Sequence, residues 1–388
     1  MSVQKLAVGI QVSGNPPLGI ARAILLFARL NRLESVTVAD HFQGFIPVAL
    51  WDRKFSWAAS VLANPHESFD YQVVLGYLAA RAGKIRLGVG VTEANRRHPV
   101  LIAQSMLTLA HAVRRRPILG IGAGERENIE PYGLDFSTPV GRLEEALQII
   151  RLCFSRNDTI DFRGKYFRLD NATMALQSPK GRLPEIWIAG HGARMLRLTG
   201  EYSDGWFPTL VASPSEYASK LAIIRSAARD AGRNPAAILP ALHQYIVVAP
   251  TEAEARAMLD TKAGHFAALM NASAELWRQL GKEHPFGADF RGYVDFLPER
   301  YDLRTVEAAL AALPPELLGY GLVWGTPEQI ADKLRAFGDA GLRHVVLDLA
   351  SALVSRRATL YGLFAIRKIA GLLKRGSPAR SGVPGFQQ

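Results

Sequence analysis

Four groups of polar residues stand directly after short apolar runs. Asp40 and His41 follow VTVA and precede Phe42, Gln43, Gly44 and Phe45. An imidazole there can give or take a proton near neutral pH; the plainer role is a turn cap for Asp40 and a structural ring for His41. Thr92, Glu93, Asn95, Arg96, Arg97 and His98 follow a second run, and adjacent arginines hold phosphate or carboxylates, or else stand solvated before a helix starting at Pro99. Ile118 to Gly133 reads ILGIGAGERENIEPYG. Its glycines are spaced G-x-G-x-G rather than as a dinucleotide fingerprint, and no helix follows to receive a pyrophosphate. Small residues at Ala123 and Gly124 suit close approach of the backbone to a flat ligand, with Glu125 beside it as an acid, a base or a salt-bridge partner. Finally Gly190, His191 and Gly192 precede a helix start with Arg194 in its first turn, where exposed backbone N–H groups make a phosphate cradle.

Elements must place these groups together. Candidate buried strands are Leu6 to Val12, Ser35 to Ala39, Ile85 to Val91, Pro117 to Gly122, Glu185 to Ala189, Gly205 to Phe207, Ile238 to Val248 and His344 to Asp348. Continuous Val/Ile/Leu runs mark parallel strands buried on both faces. Helical patterns alternate with them at Pro99 to Val113, Val140 to Cys153, Ser215 to Ala231 and Thr326 to Ala340. Eight such strands predict an α/β fold, a (β/α)8 TIM barrel whose chemistry lies at the C-terminal ends of its strands. The expected layout is a single barrel domain over residues 1–374, with rim insertions at about 41–84 and 250–325, and a Gly/Pro/Ser-rich disordered tail at 375–388.

Composition narrows the class. With 48% hydrophobic and 21% charged residues among 388, the chain buries a large core. One cysteine, Cys153, excludes an intramolecular disulfide and any cysteine-based metal site, and no metal is expected. The N-terminus lacks a charged leader followed by a long apolar stretch, so a cytoplasmic protein is expected. The formal charge is +11, and Arg343 to Gln388 holds eight Lys/Arg against one acid, so most of the excess lies at one end. No aromatic-interleaved basic patch suggests nucleic acid. Ser355 to Arg375 is a basic amphipathic stretch, expected to pack as the barrel's last helix, with peripheral membrane contact as a second role.

The stretches ADHF (39–42), LGVGVTEANRRHP (87–99), LGIGAGERENIEPYG (119–133) and WIAGHGARMLRLTGEYSDGW (187–206) resemble the luciferase-like flavin and deazaflavin oxidoreductases over nearly the whole chain. GERExxEPYG, the HGARMLR stretch and EHPFGADF (283–290) are most similar to the phthiodiolone dimycocerosate ketoreductases, which reduce a ketone on a long-chain lipid. The resemblance implies coenzyme F420, with FMN and a monooxygenase reaction as the alternative and a non-catalytic ligand-binding barrel as the reading from another class. It places Asp40 and Thr92 against the deazaflavin, a bulge after Val89 and Gly90 under its ring, and Ala123 and Gly124 along it. It also implies Asn128 as a cofactor contact, and His191, Gly192 and Arg194 on its phosphate. His41 matches the catalytic histidine and Glu125 the catalytic carboxylate; protonated His41 is expected to be the proton donor. The implied partner is a small-molecule or lipid ketone, in a homodimer by analogy. Phe45 stands where the family's sugar-phosphate dehydrogenases have tryptophan, and Val211 and Ala212 where they have a phosphate-binding lysine, so a phosphorylated sugar is not the expected substrate.

Overall fold

The computed structural model describes residues 5–155 and 159–375; the expected tail beyond Arg375 lies outside them. Eight strands close into a parallel barrel: β1 (Ala7–Val12), β2 (Ser35–Val38), β3 (Arg86–Thr92), β4 (Ile118–Ile121), β5 (Glu185–Ile188), β6 (Gly205–Trp206), β7 (Leu239–Val248) and β8 (His344–Leu349). β8 pairs back onto β1 with Ala7 opposite His344, closing the ring. All eight coincide with the apolar runs, their ends unchanged or moved by one residue. Side chains such as Val8, Ile10, Leu87, Leu119 and Val345 are wholly buried, as parallel strands covered on both faces require.

The β3–β4 pair carries an irregularity. Gly88 and Val89 face Ile118 and Leu119, and pairing then resumes at Thr92 opposite Ile121, so β3 bulges where the resemblance implies. The bulge contains a cis Gly90–Val91 peptide, and Gln11 Nε2 donates to the Gly90 carbonyl at 2.6 Å. A side chain at Gly88 would run into the Ile118 carbonyl, and one at Gly120 into that of Val89, so glycine is required for this pair to approach.

Helices follow the strands and cover the barrel. Pro99–Ala112, Pro139–Phe154, Pro214–Asp230 and Pro327–Asp339 each begin with proline at the first turn, a residue pre-set for that position. Thr326 caps the last of them in a capping box completed by Gln329. Cys153 lies buried on the inner side of Pro139–Phe154. The C-terminal helix, Arg356–Arg375, buries Ile366, Ile369 and Leu373 in the barrel core, and Lys374 donates to the Arg32 carbonyl at 2.6 Å.

The structure revises the expected insertions. Tyr71–Ala79, inside the first stretch, is a regular barrel helix between β2 and β3 whose Tyr71, Val74, Leu75 and Leu78 enter the main core, so the rim segment is only 41–70. It joins residues 250–325 in a separate apolar cluster in which Leu50 and Phe55 pack with Phe266, Trp277, Phe296 and Val306. A short strand, Val323–Gly325, pairs with the top of β7 and ties this rim to the barrel. A two-stranded hairpin, Ile160–Arg163 with Arg168–Ala172, was not anticipated; its turn is held by Glu145, which accepts from the backbone N–H groups of Lys165, Tyr166 and Phe167. Among the described residues no helix is long and apolar enough to cross a membrane.

Candidate active site

A cavity of about 1180 Å³ opens at the C-terminal ends of the strands, the end a barrel of this kind uses for chemistry. Pockets for one drug-sized ligand are typically about 300–1,000 Å³, so the space suits a large cofactor together with a second molecule.

One wall is a charge lattice built on the ends of β2 and β3. Asp40 accepts from Thr92 Oγ1 at 2.6 Å, from Arg96 Nη2 at 3.0 Å and from Arg97 Nη1 at 2.9 Å. Arg96 also donates to Glu93 at 2.5 Å, and Arg97 to Asp70 at 2.6 Å. The side chains of Asp40 and Arg96 are each 2% exposed, so these charges satisfy one another away from water. The paired arginines therefore hold carboxylates, but the protein's own.

His41 sits where this wall meets the loop after β4. Asn128 is the link. Its Oδ1 accepts from the backbone N–H groups of Phe42 at 2.6 Å and Gln43 at 3.3 Å, which turns its NH2 toward His41 Nδ1 at 2.9 Å and Glu127 Oε1 at 2.6 Å. Facing an amide donor, Nδ1 must accept, so the imidazole carries its hydrogen on Nε2. Glu125 Oε2 and Glu127 Oε1 lie 3.8 and 3.7 Å from Nδ1. Glu125 keeps 35% of its side chain open, toward the cavity it lines, whereas Glu127 is fully buried. Burial, then the neighbouring Glu127 charge, push Glu125 up to about 8. His41, Glu125 and Glu127 place three possible metal-ligating atoms within 4.8 Å of one another. The Asn128 NH2 already lies on two of them, and a donor at both positions opposes a cation.

The opposite wall comes from β7, β8 and the rim. Tyr245, His243 and Asp348 line it, with His243 Nε2 3.3 Å from Asp348 Oδ2. Burial, then the Asp348 charge, push the Tyr245 hydroxyl well above its ordinary range. Tyr293, from the rim, packs edge-on against Phe45 at 4.4 Å between ring centroids, and Phe45 against the His41 ring at 5.1 Å. Ile46, Leu210, Met270 and Val294 add apolar lining, beside the charged Arg291 and Asp295. Sequence reasoning passed over Tyr245, His243, Asp348 and Tyr293; the polar trio HQY inside an otherwise apolar strand was the available signal for the β7 pair.

Of the residues expected from sequence, Asp40, His41, Gly90, Thr92, Ala123, Gly124, Glu125, Asn128, His191 and Gly192 all line this one cavity. Val89 does not; it is wholly buried in the barrel core beneath the bulge. Arg194 is also turned elsewhere: its guanidinium is half exposed and paired with Glu144 at 2.7 Å.

Comparison with known proteins agrees with this architecture. The luciferase-like monooxygenase family profile matches residues 34–344. The chain belongs to that family and is an enzyme. Over 331 residues it is 40% identical to a phthiodiolone/phenolphthiodiolone dimycocerosates ketoreductase of Mycobacterium sp. (strain JLS), covering 84% of this chain and 87% of that one. It is 30% identical to an F420-dependent glucose-6-phosphate dehydrogenase of Nakamurella multipartita, over 89% of this chain and 94% of the relative. An F420-dependent secondary alcohol dehydrogenase, solved as an F420–acetone adduct, shares the fold with a TM-score of 0.73 at 19% identity, over 95% of this chain and 99% of that one.

Proposed function

We propose that this enzyme reduces the carbonyl of an apolar, long-chain lipid ketone with reduced coenzyme F420. The observation that carries the reading is the meeting of His41, its Nδ1 facing the Asn128 amide, with Glu125 and apolar side chains in one cavity large enough for two ligands. The relatives named as ketoreductase and as F420-dependent dehydrogenase support the same reaction class.

The residues suit such a cofactor. Gly192 lines the cavity, has no atom within 4 Å of where a side chain would begin, and opens the ten-residue helix Ala193–Tyr202. The first N–H groups of a helix lack intrahelical partners and attract phosphate. Gly124, at φ +92° and packed closely against Ile129, lines the cavity beside Glu125. Thr92, the Gly90 bulge and Ala123 would lie along the ring system.

When bound, reduced F420 supplies a hydride. The carbonyl oxygen gains charge as its carbon is reduced, and His41 donates to it a hydrogen bond from Nε2. An imidazolium would need to donate from Nδ1 as well, where the Asn128 amide stands, so the geometry favours a neutral imidazole over the protonated His41 expected from sequence. Glu125, holding its proton to about pH 8, is then the group with a proton to give. Ketone, hydride and proton together make the secondary alcohol. The apolar lining of Ile46, Leu210, Met270 and Val294 suits an alkyl chain.

An anaerobic assay of reduced F420 against dialkyl ketones of increasing length tests the proposal. Oxidation of the deazaflavin matched by alcohol formation, with kcat/KM rising with chain length, is the expected result. Oxygen-dependent turnover with reduced FMN and none with F420 would replace the reading by a monooxygenase.

A further inference from the structure

Glu127 is the one member of the His41 cluster that does not line the cavity. It is fully buried, in a 3-10 turn directly after Glu125, and its Oε2 has no hydrogen-bond partner apart from any proton on Glu125. A carboxylate wholly removed from water is costly unless its lone pairs are met. Here Oε1 is met by Asn128 Nδ2, and Glu125, with a carboxyl oxygen within 4.8 Å of one of Glu127's, is the neighbour that can meet the rest.

We infer that Glu127 is a positioning residue with two outputs: through Asn128 it holds His41 as the Nε2–H tautomer, and by accepting from the Glu125 carboxyl it keeps that residue in its acid form. The chain runs Glu125 O–H to Glu127, Asn128 N–H to Glu127, and Asn128 N–H to His41 Nδ1. Each donor has a single acceptor and each acceptor a defined donor. Glu127 thus serves the cavity without touching its contents: His41 presents its Nε2–H there, and the proton that Glu125 gives up in turnover is the one it shares with Glu127 at rest. This deepens the reductase reading, which requires a proton donor, and rests on it.

The charged and titratable groups around the pair come from several elements. Arg96 after β3 favours the ionised form of both carboxyls, as a charged His41 would that of Glu125. Tyr245 on β7 and Tyr293 on the rim face Glu125, and Tyr132 faces Glu127. Arg96 is the cation the two acids share, and two carboxyls this near cannot both release their protons easily.

Cofactor-free protein tests the inference without turnover. Nitrogen-15 NMR of the imidazoles, with His41 assigned by loss of its signals in His41→Asn, is expected to show Nε2–H and bare Nδ1 at pH 7. Infrared spectroscopy at the same pH is expected to show a protonated carboxyl band that disappears in both Glu125→Gln and Glu127→Gln. Glu127→Gln is nearly isosteric; its carbonyl still accepts from Asn128 while its amide donates to Glu125, so the His41 tautomer persists as the acid band is lost. In F420-linked turnover the same variant is expected to move the basic limb of the pH profile down by about one unit or more. An Nδ1–H tautomer in the wild type, or a carboxyl band unchanged by Glu127→Gln, would overturn the inference. A wild type inactive with reduced F420 and every ketone would instead overturn the functional reading, and the apo-protein spectra separate the two failures.

Discussion

Arg96 and Tyr293 face the same cavity from opposite walls, and they are held there by opposite means. Arg96 is locked by Glu93, Asp40 and a stack on the Phe42 ring, inside a lattice anchored to two barrel strands. Tyr293 leans on Phe45 and belongs to a rim with its own apolar cluster, tied to the barrel by Val323–Gly325. The first wall has almost no freedom to change, because every charge in it answers another. The second is assembled from apolar contacts that tolerate substitution. In the proposed reaction the chemistry belongs to the strand ends of β2 to β4, and substrate choice to the rim.

The comparison can be broken most severely at Asp40. Asp40→Ala removes the buried carboxylate that two arginines share, leaving each with one acid, and is expected to cost about 3 kcal/mol of stability, read by chemical denaturation; a loss below about 1 kcal/mol would show that the lattice is solvated. Next, His41→Ala is expected to lower ketone reduction about 100-fold or more with little change in stability, and an unchanged kcat removes His41 from the chemistry. On the other wall, Tyr293→Ala should shift the kcat/KM ratio between bulky and small ketones about tenfold while the rate with acetone holds; equal effects on both substrates would make the rim structural.

Two finer effects sharpen the contrast. Glu125, raised from 4.5 to about 8 in the folded protein, binds its proton more tightly there than in the unfolded chain, so stability falls as pH rises between those values. Glu125→Gln should flatten that part of the melting-temperature profile; an identical slope would mean the acid is not raised. Arg194→Ala should change F420 affinity by less than about threefold, since an exposed pair with Glu144 contributes under about 1 kcal/mol. A larger loss by fluorescence titration would show that Arg194 leaves Glu144 for the ligand.

Much of this was legible in the chain because the relevant signals are local. A strand buried on both faces reads as an apolar run, and a polar residue directly after it must sit at the barrel's C-terminal rim, which placed His41 and Glu125 correctly. What stayed hidden depends on distant partners. Nothing in GERENIE says that Glu127 is buried while Glu125 and Arg126 line the cavity; only the approach of the Phe42 and Gln43 backbone decides it. Arg96 and Arg97 looked available for a ligand because their acids, Asp40 and Asp70, lie 56 and 27 residues away. The hairpin at 160–172 was missed because its strands are short and largely exposed, leaving no apolar run.

Cys153 has a consequence for how this enzyme meets oxidants. Burial pushes its thiol up to about 11, and it faces the barrel core, so at neutral pH the described residues contain no thiolate. Thiol-blocking reagents find no thiolate among the described residues, and the proposed proton-handling groups His41, Glu125 and Glu127 carry no sulfur. Exposure to air should therefore leave the protein's own catalytic groups unmodified, and oxidative loss of activity would report on the bound reductant instead.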